Sequence, residues 1–292
     1  MIAIDWGTSS FRAYRLSAEG ALLDKRSAPL GILQVQASRF AEALGSQIAD
    51  WLGAGEAPVV MSGMIGSRQG WQEVPYVSCP AGVAQLAAGM REVRWDSHRA
   101  WIAPGLSSRD ASGVPDVMRG EETQLAGILD QLPPSACVCL PGTHSKWVEV
   151  RAGKILHFST YMTGETFAVL KEHSILGRMM SEAPTDLSWF DAGVRRAQDP
   201  GGLLHHVFGV RARGLFGELA DVASASYLSG ILVGHELTSA RTDAGLVHLL
   251  GAPHLVAIYA RALNLLGGDV VTLDPDAAVH GLLSLARHLP RR

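Results

Sequence analysis

Cysteine is scarce in this chain. There are three in 292 residues, at positions 79, 137 and 139, too few for a disulfide framework and without the paired spacing of a zinc site. They are the expected reduced thiols of a cytoplasmic protein. Clustered basic charge is missing apart from the terminal Arg291 and Arg292, and the formal net charge is -3, which excludes the electrostatic footprint of a nucleic-acid or acidic-membrane binder. Long apolar runs are missing too. The richest, around "YLSGILVG", falls short of the roughly 20 residues that a membrane-spanning helix needs, and Asp5 interrupts anything resembling a secretory leader. Neither of the common nucleotide loops, G-x-x-x-x-G-K-[ST] and G-x-G-x-x-G, occurs. The expected partners are therefore small molecules, with neither nucleic acid nor membrane among them.

What is present is an ordinary globular composition, 47% hydrophobic and 18% charged, with 32 glycines to serve tight turns. The length exceeds that of a typical single domain, so two domains are expected. The segments "MIAID", "FRAYRLS" and "ALLDKRSAP" are separated by "WGTSS" and "AEG", the pattern of three short strands in a meander over Met1–Pro29. A helix from Ser38 to Trp51, a strand at Pro58–Met61, a helix near Ala81–Met90 and a strand at Arg99–Ala103 are expected after it.

The layout then returns in the middle of the chain. "ACVCLPGTHSKWVEVRAGKILHFS" again reads strand, Gly-Thr-x-Ser turn, strand, x-Gly turn, strand, so that Gly142, Thr143 and Ser145 mirror Gly7, Thr8 and Ser10. Helices from Thr163 to about Arg241, a strand at "LVHLLG", a helix from Pro253 to Leu266, a strand at "DVVTL" and a terminal helix from Asp276 complete the second copy.

A turn of glycine and hydroxyl residues presents backbone N–H groups and side-chain oxygens with nothing bulky in the way, which suits it to phosphate oxygens. Gly7, Thr8, Ser9 and Ser10 form the first such turn, and Gly142 and Thr143 the second. Lys146 is either a phosphate contact or a solvated strand residue, and His144 a local hydrogen-bonder. The copies differ in one informative place: Asp5 precedes the first turn where Leu140 precedes the second. A single Mg²⁺ site is thus expected, with Asp5 holding the ion directly or through water. The competing reading makes Asp5 a turn residue that bonds the following N–H groups.

The turns "DWGTSSFR" and "PGTHSKW" resemble the two phosphate loops of the superfamily that contains acetate and sugar kinases, the chaperone ATPase domain and actin. More narrowly, "GMIGSRQGW", "MRGEETQL", "PGTHSKW", "MTGE" and "LLGAPHLVAIYARAL", in that order, resemble the 2-dehydro-3-deoxygalactonokinase family over nearly the whole chain. The resemblance implies an α/β fold of two domains with duplicated ribonuclease-H-like (actin-like ATPase) topology. Their cleft would close on ATP·Mg²⁺ and a sugar acid. Residues 1–117 would form the sugar-acid and phosphate-binding domain and residues 118–292 the nucleotide-binding domain, with the terminal helix free to pack back on the first.

Transfer to an alcohol needs a group that orients the hydroxyl and accepts its proton. Glu121 and Glu122 in "MRGEETQLAGIL" are the candidates, against the alternative that they merely complement the dipole of the helix they begin. In the resemblance Gly120-Glu121 takes the register of the Gly-Asp or Asn-Asp of many sugar kinases. Glutamate in place of aspartate leaves the choice between Glu121 and Glu122 open.

For the acceptor, "MSGMIGSRQGWQEVPY" offers close backbone approach at Gly63, hydrogen bonds from Ser67 and Gln69, a carboxylate fork at Arg68 and a pocket wall at Trp71. Arg119 and Arg12 are competing cations. Gly251 and Ala252 in "LLGAPHL" resemble the adenosine loop. The function these readings support is phosphorylation of the terminal hydroxyl of 2-dehydro-3-deoxy-D-galactonate by ATP, in the cytoplasm. Its alternatives are a kinase of another small sugar or sugar acid, or a nucleotide-switched binding protein of the actin or chaperone kind. The sequence leaves the oligomeric state open, a homodimer included.

Overall fold

The computed structural model describes residues 1–36, 39–52, 58–240 and 245–289; Ser38 and Arg241, expected helix ends, and Arg291 and Arg292 lie outside the described residues. Strand β1 (Ile2–Trp6) is buried along its length except at Asp5, as befits a strand with neighbours on both edges. In β2 (Phe11–Leu16) the burial alternates, with Arg12 and Arg15 outward. The edge strand β3 (Leu22–Ala28) is largely exposed and carries Asp24, Lys25 and Arg26, charges that discourage pairing with another chain. Next come α1 (Phe40–Ile48), β4 (Val59–Ser62), β5 (Val77–Ser78), α2 (Val83–Gly89), β6 (Arg91–Trp95), β7 (His98–Ile102), β8 (Leu106–Arg109), β9 (Pro115–Met118) and α3 (Glu121–Ala126).

The second half begins with β10 (Ser135–Leu140), β11 (Ser145–Arg151) and β12 (Lys154–Tyr161). Four helices follow, α4 (Thr163–His173), α5 (Leu187–Arg196), α6 (Gly202–Leu215) and α7 (Asp221–Ala240), then β13 (Leu246–Leu249), α8 (Pro253–Leu265), β14 (Asp269–Thr272) and α9 (Ala277–Ala286). Local chemistry sets several boundaries: the Asp186 carboxylate caps α5 by accepting from the Ser188 and Trp189 amides, and Pro253 occupies the first turn of α8, where its missing N–H costs nothing.

The strand order is β3-β2-β1-β4-β7-β6 in one sheet and β12-β11-β10-β13-β14 in the other. In the first, β1 runs antiparallel to β2 and parallel to β4, with Asp5 opposite Ser62, and β4 is parallel to β7. In the second, β10 is parallel to β13 and β13 to β14, while loops too short for a parallel crossover join β10, β11 and β12. Apart from the extra edge strand β6, both sheets place three consecutive strands in reverse order beside two parallel ones, which is the duplicated ribonuclease-H-like topology. A small sheet β5-β8-β9 completes the set among the described residues.

One compact unit comprises Met1–Ser135 with Glu149–Phe158 and Asp276–Arg292, the other Ala136–Val148 with Ser159–Pro275. Helix α3 therefore belongs to the first unit, and a boundary between residues 117 and 118 is not where the chain divides. Helix α9 also belongs there, packed on α3, α2, β1 and β4. Strands β5, β6, β8 and β9 went unread in the sequence. "REVRW" buries only Val93 and Trp95 among charged neighbours, and the others span two to four residues, too short for a period to register.

The first unit's core gathers Trp6, Phe11 and Phe40 edge to face, with Ile4, Met61 and Ile102 around them. The second unit's core centres on Phe190, Trp147 and Tyr259. Each unit contains a helix crossing lined by glycine on both partners. A Cβ on Gly281 of α9 would lie 1.8 Å from the Thr123 carbonyl oxygen, and one on Gly127, at the end of α3, 2.1 Å from that of Ala277. In the other unit a Cβ on Gly230 would lie 2.0 Å from the Phe190 carbonyl oxygen and one on Gly193 2.3 Å from that of Tyr227. Backbone cannot give way as a side chain can. Gly281→Ala is expected to destabilise the first unit by about 1–3 kcal/mol, read as a lower urea midpoint; an unchanged midpoint would mean that the crossing is not a close contact.

Candidate functional site

Asp5 sits at the carboxyl end of β1, next to the turn Gly7–Ser10, whose Thr8 and Ser9 are exposed. The turn is anchored from behind: the Gly7 amide donates to the Ser10 carbonyl at 2.9 Å, and the Ile32 and Leu33 amides donate to the Gly7 and Thr8 carbonyls at 3.0 and 3.3 Å. The Trp6 indole N–H donates to the Leu30 carbonyl at 2.7 Å. Burial pushes the Asp5 carboxyl above its ordinary pKa, the Arg12 guanidinium opposes the shift, and the nearby Glu121 adds to it. Arg12 stands 3.5 Å from Asp5 and is itself half exposed, so it compensates the carboxylate only partly. A partly buried carboxylate beside a second one is a hard-oxygen setting that a divalent cation would relieve. Magnesium, which keeps most of its waters and shares substrate phosphates, needs only one or two such ligands. Asp5 fits that part. Among the described residues no cluster of three metal-ligating side chains occurs.

Gly63, just past β4, has φ 92°, a left-handed conformation that glycine alone adopts without strain. Its position is tight as well: a Cβ there would lie 2.7 Å from the Trp6 carbonyl oxygen and 3.3 Å from Asp5 Oδ1. Gly120, at φ 110° ahead of α3, lies against Gly63 in turn. The β4 loop thus brings the start of α3 to the Asp5 turn.

The two glutamates part ways there. The Arg119 amide donates to Glu121 Oε2 at 3.2 Å, and Glu121 remains partly exposed near Asp5. Glu122 is buried, accepting from the Gly120 amide at 2.6 Å and from the Thr123 hydroxyl at 3.0 Å. Burial, aided by repulsion from Glu121, pushes its carboxyl up to about 8 against the pull of those donors.

The acceptor loop does not present its side chains as the sequence suggests. Arg68 is 87% exposed and loosely paired with Glu73 at 3.6 Å, and Gln69 is exposed. Trp71 packs edge to face on Trp95 and against the core, 5.7 Å between ring centroids, so it stiffens the loop from behind. Arg119 is half-buried, with its guanidinium turned inward: it donates to the Val74 carbonyl at 2.7 Å and lies over the Tyr76 ring at 4.5 Å.

In the second unit Gly142 and Thr143 form the turn between β10 and β11, and α4 begins against it: a Cβ on Gly164 would come within 2.6 Å of the Gly142 carbonyl oxygen, and the Glu165 amide donates to the Thr143 carbonyl at 3.0 Å. His144 pairs with the Glu165 carboxylate. Lys146 is buried, so it is no solvated strand residue, and its ammonium donates to the His144 carbonyl at 3.0 Å. Gly251 abuts Pro141, with Ala252 exposed beside it.

Beneath this turn lies a network that the sequence did not reveal. Glu236 of α7 accepts from the Trp147 indole at 2.8 Å and from the Tyr259 hydroxyl at 2.6 Å, and Ser145 bonds Tyr259 at 2.8 Å. Thr163 also bonds Glu236, whose carboxyl burial raises and these donors lower. The signal was there: a lone acid in the apolar run "SGILVGHEL". A cavity of about 210 Å³ opens next to the network, lined by Tyr161, Thr163, Thr166, His235, Glu236 and Ser239 with apolar neighbours.

Two copies of one sheet topology, each with a Gly-Thr turn between its first two strands, define an actin-like ATPase fold of the sugar-kinase class. The chain belongs to the 2-keto-3-deoxy-galactonokinase family, which matches residues 5–285. It is 35% identical over 290 residues to the 2-dehydro-3-deoxygalactonokinase of Escherichia coli (strain K12), covering 98% of this chain and 97% of that one. It is 37% identical over 292 residues to a Rhizobium meliloti (strain 1021) protein provisionally given the same name, covering 97% and 95%. A crystal structure of a Sinorhizobium meliloti protein, again provisionally so named, superposes with a TM-score of 0.90 at 37% identity, covering 98% of each chain.

The buried Glu122 carboxyl has a measurable consequence. Its folded pKa of about 8 lies above its ordinary 4.5, so its contribution to stability is complete below about pH 4.5 and is lost as pH rises through about 8. Asp5 and Glu236 shift in the same direction, and comparison with Glu122→Gln isolates the one group. The glutamine variant should match the native chain near pH 5 and exceed it by on the order of 3–5 kcal/mol near pH 9 in urea unfolding. Parallel stability curves would contradict a neutral Glu122.

Proposed function

We propose that the chain transfers the γ-phosphoryl group of ATP to the terminal (6-) hydroxyl of 2-dehydro-3-deoxy-D-galactonate, the kinase step of galactonate breakdown. Membership of the family over nearly the whole chain supports the reaction; the meeting of Asp5 and Glu121 at the Gly63 loop is the observation that carries the mechanism. In this reading Glu121 orients the acceptor hydroxyl and takes its proton as the oxygen bonds to phosphorus and the bond to ADP breaks. Glu122, neutral and enclosed, keeps the start of α3 in place. The Gly7–Ser10 and Gly142–Thr143 turns offer amides and hydroxyls to phosphate oxygens, Lys146 braces the second turn, and Gly251 and Ala252 suit the nucleoside. Mg²⁺, held by Asp5, would neutralise charge on the transferring group. Phosphoryl transfer through a loose transition state asks more for orientation than for basicity, so a carboxylate at a helix N-terminus suffices.

The cytoplasm as location and a homodimer as assembly belong to the same proposal. Exposed Leu204, Phe208 and Leu215 fall on one face of α6, a surface that a second copy would cover. Phe208→Asp should then shift a dimer to monomer in sedimentation; an unchanged state in native and variant chains alike removes α6 from any interface.

Turnover is tested by coupled ADP release with the sugar acid. Asp5→Asn should abolish most Mg²⁺-dependent turnover. Glu121→Gln should lower kcat by roughly 10²–10⁴-fold with both ligands still bound, and Glu122→Gln far less. A larger loss at Glu122 reverses the two roles, and near-normal turnover in Asp5→Asn removes the metal from that residue.

A further inference from the structure

We infer that Arg119, assisted by Ser67, holds the carboxylate of the acceptor and so makes the enzyme a kinase of acids in preference to neutral sugars. The inference rests on the kinase reading above and concerns which group of the acceptor is recognised.

Four side-chain nitrogen or oxygen atoms among the described residues are buried without a hydrogen-bond partner, and three of them, Arg119 Nε, Arg119 Nη1 and Ser67 Oγ, belong to this loop region. Arg119 as a whole is half-buried, but enclosed guanidinium donors left unspent are costly unless an anion or its equivalent completes them. The partners Arg119 does have are neutral: the Val74 carbonyl on Nη2 and the Tyr76 ring against one face. The protein supplies no carboxylate to the guanidinium within the described residues. Two glycines let the guanidinium and the ring beneath it pack this closely. A Cβ on Gly66 would lie 2.9 Å from Nη1, and one on Gly105 2.6 Å from the Tyr76 ring. Ser67 follows Gly66 directly, and its enclosed hydroxyl is a further unspent donor in the same loop. Nε and Nη1 lie on different edges of the planar guanidinium, so an acceptor carboxylate would set an oxygen on one of them, a charge-assisted bond directed by the plane of the group in a way that an ammonium does not reproduce.

The placement also matches the length of the acceptor. Gly63 meets Asp5 and Gly120, and Gly66 meets Arg119, with the 3-10 turn Met64–Gly66 between. One such turn spans about 6 Å. Five carbon–carbon bonds of about 1.5 Å in a zigzag cover a similar length. An open-chain six-carbon acid with its carboxylate on Arg119 therefore brings its far hydroxyl toward Asp5 and Glu121. The exposed Arg68 has neither the enclosure nor the position.

The test compares the acid with its carboxamide under saturating ATP and Mg²⁺. The native chain is assayed first. If it fails to phosphorylate the acid at all, the kinase reading falls, and this inference falls only with it. Given turnover, the native enzyme should favour the acid, and Arg119→Gln should raise the KM for the acid roughly ten- to a hundred-fold, leave the KM for ATP unchanged and bring the acid-to-amide ratio of kcat/KM close to one. Arg119→Lys should keep only part of the preference, and Ser67→Ala should reduce it modestly. Where circular dichroism shows Arg119→Gln unfolded, Arg119→Lys carries the comparison. A variant that loses both acceptors alike, an undiminished preference in Arg119→Lys, or loss of the preference in Arg68→Ala instead overturns the assignment.

Discussion

The first unit depends on one close approach, that of Gly63 to the end of β1. With φ at 92° and the Trp6 carbonyl within 2.7 Å of where a side chain would begin, no other residue type fits. The contact fixes three things at once: the direction in which the β4 loop leaves the sheet, the place where Gly120 starts α3, and the distance from Asp5 to Glu121. Two acids held together in a partly dry setting are unfavourable for folding, as the raised Asp5 pKa records. That cost is what the proposed roles of Asp5 toward a cation and of the adjoining turn toward phosphate would offset.

The glycine crossings secure this arrangement from behind. Because α9 meets α3 backbone to backbone at Gly281 and Gly127, α3 cannot slide or turn, and its first residues keep a fixed orientation. Glu122 contributes by being enclosed and neutral, which lets it bond the Gly120 amide without adding a second full charge beside Glu121. The second unit uses another device. There a buried carboxylate, Glu236, collects donors from β11, α4 and α8 and holds the Gly142 turn on a polar base.

Much of this was legible in the sequence because it is periodic or compositional. The two meanders, the Gly-Thr turns and the parallel strands leave patterns of period two with glycine punctuation, and the sheet orders follow from them. The place of Asp5 near the end of β1, ahead of the first turn, was legible because its counterpart Leu140 breaks the internal symmetry. What could not be read depends on which way a side chain faces after folding. Arg68 stands in a glycine-rich loop and looks available, but it is in solvent. Arg119, outside that loop in the chain, is folded under it by the hairpin β8–β9. The burial of Glu122 next to a partly exposed Glu121 has no local signature, and the lone acid Glu236 in its apolar run does not tell which donors it will meet, since both are set by elements distant in sequence.

The central claim is chemical, and phosphorus NMR of the finished reaction tests it directly. With ATP, Mg²⁺ and 2-dehydro-3-deoxy-D-galactonate, the account predicts a new phosphomonoester resonance, split by the two protons of the terminal methylene, growing in step with ADP. Release of inorganic phosphate alone, or a resonance coupled to a single proton, would contradict it.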